Sequence, residues 1–77
     1  MKPIFWTKHA VNEASKFRLD QPYCEQIIRD PDKVLIEGSE KRRYIRFKKK
    51  KMIMVICIET EYMILIKTID ITTRRKI

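Results

Sequence analysis

Residues 52–58 read Met-Ile-Met-Val-Ile-Cys-Ile, seven apolar residues in succession between four lysines (48–51) and Glu59. No polar side chain interrupts them, so neither face of the segment belongs to water, and its β-branched residues favour a strand. Seven residues are far too few to cross a bilayer. The segment is therefore a central strand, and the rest of the 77-residue chain must be arranged around it. A chain this short makes one domain over 1–77, and burying only about 60% of its unfolded surface leaves room for one core. Any site is then a surface groove or a sheet face.

The flanking sequence supplies the other elements. Residues 3–6, Pro-Ile-Phe-Trp, suit a short N-terminal edge strand. Thr7 is a plausible N-cap for a helix over 8–18, whose Ala10, Ala14 and Phe17 recur on one face. Asp20 or Gln21 opens a second helix with Pro22 in its first turn, and Pro31 ends it near residues 29–30. The short connection predicts a helix hairpin. From Lys33 the period becomes two: a strand over 33–37, a turn at Gly38–Lys41, a strand over 42–48, the central strand, a turn at Thr60–Glu61, and a last strand over 62–72. The expected fold is α+β, with the helix hairpin on one face of a four-stranded antiparallel sheet. Residues 72–77 form a basic, frayed tail.

Charge is unevenly distributed. Residues 1–40 carry 6 Lys/Arg against 7 Asp/Glu, whereas 41–77 carry 12 against 3. This asymmetry points to a polyanionic partner, or to an acidic protein that neutralises it. Eight of the eleven residues in 41–51 are basic. Alternation puts Arg42, Tyr44, Arg46 and Lys48 on one face, read as the exposed one, and Arg43, Ile45 and Phe47 on the other. Arginines that grip phosphate beside an aromatic that stacks on an unpaired base suit single-stranded RNA better than a DNA groove. Two other readings stand beside this one. The lysines also serve as gatekeepers against aggregation of the apolar strand, or as a solvated turn.

His9, the only histidine, sits where a helix begins. It is either a neutral general base or a helix-start residue hydrogen-bonded to a neighbouring strand. Lys67 either holds a phosphate near Tyr44 and Arg46 or snorkels from the sheet edge. Cys24 and Cys57 have neither metal-site spacing nor a histidine beside them, so buried free thiols are expected, with no metal and no cofactor. The start MKPIFWTKHA has no secretory signal pattern, which places the expected protein in the cytoplasm. The open edges of a small sheet allow a monomer or a weak homodimer.

Four short motifs carry a family likeness: Thr7-Lys8-His9-Ala10, Pro31-Asp32-Lys33-Val34 after Ile27-Ile28, Tyr44-Ile45-Arg46-Phe47, and Ile66-Lys67-Thr68-Ile69. With the order of elements, they make the chain resemble the RelE/ParE-like toxin superfamily. Within it the chain most resembles an uncharacterised group with a Thr-x-His-Ala helix start. The resemblance implies the toxin-like component of a toxin–antitoxin pair, acting on RNA (often on the ribosome) as a metal-independent endoribonuclease and neutralised by an acidic antitoxin. His9, Tyr44 and Arg46 would then be catalytic, with Arg46 stabilising phosphate charge and Tyr44 or His9 moving protons. Arg42, Arg43, Lys48 and Lys67 would bind nucleic acid. Many active relatives keep a late Tyr or His, and residues 70–77 contain neither. A non-catalytic nucleic-acid-binding domain, and a gyrase-directed or acidic-peptide-binding module, are the alternatives.

Overall fold

The structure is a computed structural model that describes residues 2–73. Its elements are β1 (Ile4–Trp6), α1 (Lys8–Lys16), α2 (Gln21–Arg29), β2 (Lys33–Ile36), β3 (Lys41–Lys48), β4 (Lys51–Glu59) and β5 (Ile64–Thr73). They form one five-stranded mixed sheet in the order β1-β5-β4-β3-β2, with β1 parallel to β5 and the other neighbours antiparallel. The expected four-stranded antiparallel sheet is corrected on this point. The meander β2–β5 leaves the outer edge of β5 open, and the N-terminal segment closes it. Ile64 N–H donates to Pro3 O (3.0 Å) and Thr7 N–H to Ile66 O (3.2 Å). Ile4 and Trp6 pair with Ile64 and Ile66 and pack against the main core, so β1 is secured by burial as well as by hydrogen bonds.

The helix hairpin is also corrected. Each helix packs chiefly on the sheet, α1 against β5 and α2 against β3 and β4, rather than on the other helix. Thr7 caps α1 by accepting from Ala10 N–H (3.1 Å). The helix ends at Lys16, short of the expected 18, because Arg18 takes a left-handed conformation (φ 58°). Leu19 N–H returns to Ala14 O (2.8 Å) and Arg18 N–H to Ser15 O (3.0 Å), a Schellman closure with arginine where glycine is usual. At the other end, β5 starts at Ile64 and not Tyr62, because the Thr60 hydroxyl accepts from Tyr62 N–H and Met63 N–H (both 3.2 Å) and extends the turn. The expected tail at 72–77 falls mostly outside the described residues.

β4 is central and buried on both faces, as the unbroken apolar segment requires. On the helix side, Ile53, Val55 and Cys57 join Ala10, Ala14, Ile27, Ile66 and Ile69 in the main core. On the opposite face Ile45, Met52 and Met54 form a second cluster, with Leu35 and Phe47 packed against it. Both cysteines are free and buried. Burial pushes the thiols up, to about 11 at Cys24 and about 12 at Cys57, so neither is a nucleophile near neutral pH. Among the described residues no helix is long and apolar enough to cross a membrane.

Candidate nucleic-acid interface

Alternation along β3 holds, but the faces are the reverse of the sequence expectation. Tyr44 is buried in the main core beneath the helices, so Arg42, Arg46 and Lys48, which share its parity, lie on the helix side. Arg43, Ile45 and Phe47 face away from the helices. The expected exposed stripe is therefore not a continuous solvent-facing platform.

The side chains of that stripe are engaged locally. The Arg42 guanidinium reaches the carbonyls of Gly38 (3.1 Å), Lys41 (3.0 Å) and Ser39 (3.3 Å), clamping the β2–β3 turn. Arg46 donates to Asp30 O, and its Nε lies 3.9 Å from Asp32 Oδ2, so it ties the end of α2 to β3. Across the sheet, Arg43 Nε lies 3.2 Å from Glu37 Oε1. The Tyr44 hydroxyl donates to Glu59, which also accepts from Lys2 Nζ at 2.9 Å. Burial, and then the Glu59 carboxylate, raise the Tyr44 pKa, so the phenol stays protonated.

Burial of Glu59 opposes its ionisation. The hydrogen bonds from Tyr44 and Lys2 and the charges of Lys2 and Arg42 outweigh that, and its carboxyl is held below the usual range. A carboxylate with a depressed folded pKa adds stability that is complete above the unfolded value of about 4.3 and is lost as pH falls through the folded one. The urea midpoint of the protein should therefore drop on acidification through that window. Glu59→Gln should show a shallower drop, and parallel curves for the two proteins would remove Glu59 from the acid response.

The His9 ring reaches the neighbouring strand. Its Nε2 lies 3.1 Å from Thr68 Oγ1 on β5 and 3.7 Å from Glu13 Oε1. The Thr7 hydroxyl donates to Ile66 O (2.9 Å), with Lys67 O at 3.1 Å, and so docks the helix start against β5. Lys67 is exposed and has no partner in the β4–β5 register, which steps from Ile56↔Thr68 to Cys57↔Ile66 and leaves it as a bulge residue. It lies level with the Arg42–Arg43 end of β3, away from Arg46. His9 is on α1, Tyr44 and Arg46 are both on β3, and the three side chains engage different partners, Thr68, Glu59 and Asp30.

A different basic feature is assembled by the fold. Lys48 and Lys51 pair across the β3–β4 hairpin, with Lys49 and Lys50 as its two-residue loop, and all four are exposed. They rim a cleft of about 540 Å³ floored by Leu19, Ile53 and Ile71. Lys48 Nζ stands 5.5 Å from the centroid of the Tyr23 ring, a cation–π contact to α2. Lys49 has φ 56°, the left-handed region that the first loop position of such a hairpin uses and where glycine is favoured. The lysine run was visible in the sequence. Its apolar floor was not, because Leu19, Ile53 and Ile71 come from three separate segments. No family model, no curated protein and no solved structure matches the chain, so the likeness to RelE/ParE-like toxins rests on its short motifs and order of elements.

Proposed function

We propose that this chain is a toxin-like, RNA-directed module that binds single-stranded RNA in the lysine-rimmed cleft and does not cleave it through His9, Tyr44 and Arg46. The observation that carries the reading is four adjacent ammonium groups above an apolar floor. The lysines suit phosphates, and the floor of Leu19, Ile53 and Ile71 suits the face of an unstacked base. A duplex keeps its bases stacked and cannot offer that face. The positive φ of Lys49 supports the same reading, since a lysine stands where glycine would fit the backbone with less strain. Against cleavage stand the separate engagements of His9 with Thr68, Tyr44 with Glu59, and Arg46 with Asp30. In a toxin–antitoxin pair, an acidic antitoxin segment would neutralise the same four lysines and compete with RNA.

Fluorescence polarisation with a labelled single-stranded RNA, its duplex and an acidic peptide tests this. Four phosphate contacts on a single strand predict a slope of log K against log salt of about −3. Tighter binding of the duplex, or a slope near zero, would sink the RNA reading. RNA shortened during incubation in EDTA would sink the non-catalytic part, and peptide binding without RNA binding would favour a protein-interaction module.

A further inference from the structure

The sheet has two edge strands, the three-residue β1 and the longer β2, and the sequence of β2 is self-complementary. Among the described residues no strand pairs with its outer side. Glu37 N–H donates to Lys41 O (3.0 Å), in step with the Lys33↔Ile45 and Leu35↔Arg43 pairs, so the odd-numbered residues turn their backbone groups toward β3. The N–H and C=O groups of Val34 and Ile36 therefore point outward. Their side chains are also uncovered, Val34 being 40% and Ile36 71% exposed. A short apolar strand with an open hydrogen-bonding edge is a template for another strand.

We propose that β2 pairs antiparallel with β2 of a second copy of this chain, about a two-fold axis through Leu35. In that register Val34 of each copy faces Ile36 of the other, and the outward backbone groups of these residues form four hydrogen bonds. Lys33 of each copy falls opposite Glu37 of the other, so both ends of the ribbon carry opposite charges. Glu37 already accepts Arg43 at 3.2 Å within its own chain and would bridge the two cations. A register shifted by two residues keeps the backbone bonds but takes Lys33 away from Glu37. This charge match is what selects a second copy as the occupant. Since the axis is perpendicular to the sheet, both helix layers lie on one side of a continuous ten-stranded sheet. The inference does not depend on RNA binding.

Two four-residue edges are short for an interface, since stable ones bury about 1,600 Å² in total, so the association is weak. Sedimentation equilibrium from about 10 µM to about 1 mM should detect a monomer–dimer equilibrium. Lys33→Glu places like charges at both ends and should raise the dissociation constant about tenfold or more, while the double swap Lys33→Glu/Glu37→Lys should restore it. Leu35→Cys supplies a second readout. Non-hydrogen-bonded antiparallel partners stand about 4.5 Å apart at Cα, within disulfide reach, so this variant should cross-link on mild oxidation. The native cysteines are buried and give no background. A chain that stays monomeric at the highest concentration overturns the proposal. So does a dimer that Lys33→Glu leaves unchanged, or a folded Leu35→Cys variant that forms no cross-linked species.

Discussion

A variant with Lys48, Lys49, Lys50 and Lys51 all replaced by glutamine is expected to bind single-stranded RNA about 10²–10³-fold more weakly at about 0.1 M salt. The estimate follows from counterion release, in which each phosphate contact on a single strand contributes about 0.7 to the salt exponent, so four contacts scale affinity by salt to nearly the third power. The four side chains are exposed on the β3–β4 hairpin, and the Lys48 contact with the Tyr23 ring is worth about 0.5–1 kcal/mol at such an exposed site, so the variant should melt close to the parent. Lys49→Gly separates backbone from charge. Glycine relieves the left-handed residue and should raise stability by about 0.5–1 kcal/mol, yet the lost charge should weaken RNA binding about fivefold. Polarisation titrations and thermal melts on the same samples read both. If the glutamine variant binds as tightly as the parent, the cleft is not the RNA site.

Much of this architecture was written in local signals. Thr7, Pro22 and Pro31 marked the helix ends, Gly38 the first turn of the meander, and the unbroken 52–58 segment the centre of the sheet. The β1–β5 pairing was not legible, because joining residues 4–6 to residues 64–66 depends on which sheet edge the helices leave open, and no local pattern encodes that. The helix that stops early at Arg18 was missed for a different reason, since the residue that takes the left-handed position is not a glycine.

The reversed face of β3 has a more instructive cause. Alternation sorts Arg42, Tyr44 and Arg46 from Arg43, Ile45 and Phe47, but it does not say which set the helices cover. The neighbouring strand normally decides, and here it offers no contrast: Val55, opposite Tyr44, and Met54, opposite Ile45, are both apolar and both buried. Two apolar residues in the second set made it look like the core face, whereas the phenol proved the better partner for Val55 because Glu59 was within reach of its hydroxyl. The site followed the same logic. The basic residues were legible as a run, but their usefulness depends on which of them escape local partners. Arg42, Arg43 and Arg46 do not, and the hairpin lysines gather around an apolar floor that only the tertiary fold supplies.

Tyr44→Ala is expected to cost about 3–4 kcal/mol of stability, the range for removing a large buried aromatic side chain. Tyr44 is 9% exposed, and its truncation leaves a void between Val34 and Val55 and deprives the Glu59 carboxylate of a donor. Tyr44→Phe keeps the packing and loses only the hydrogen bond, which should cost about 1–2 kcal/mol because the acceptor is charged while Lys2 still holds Glu59. The ordering distinguishes a core residue from a solvent-facing stacking platform, for which both changes would be nearly neutral to stability and the alanine would act on RNA alone. Urea denaturation of the three proteins reads it directly, with equal slopes and midpoints falling from parent to Phe to Ala. In a domain of this size the alanine loss is a large fraction of the total, so its baseline should be taken at low temperature with the folded fraction checked by circular dichroism. Coincident midpoints for parent and Tyr44→Ala would place the phenol outside the core and return the Arg42–Lys48 stripe to the solvent side of the sheet.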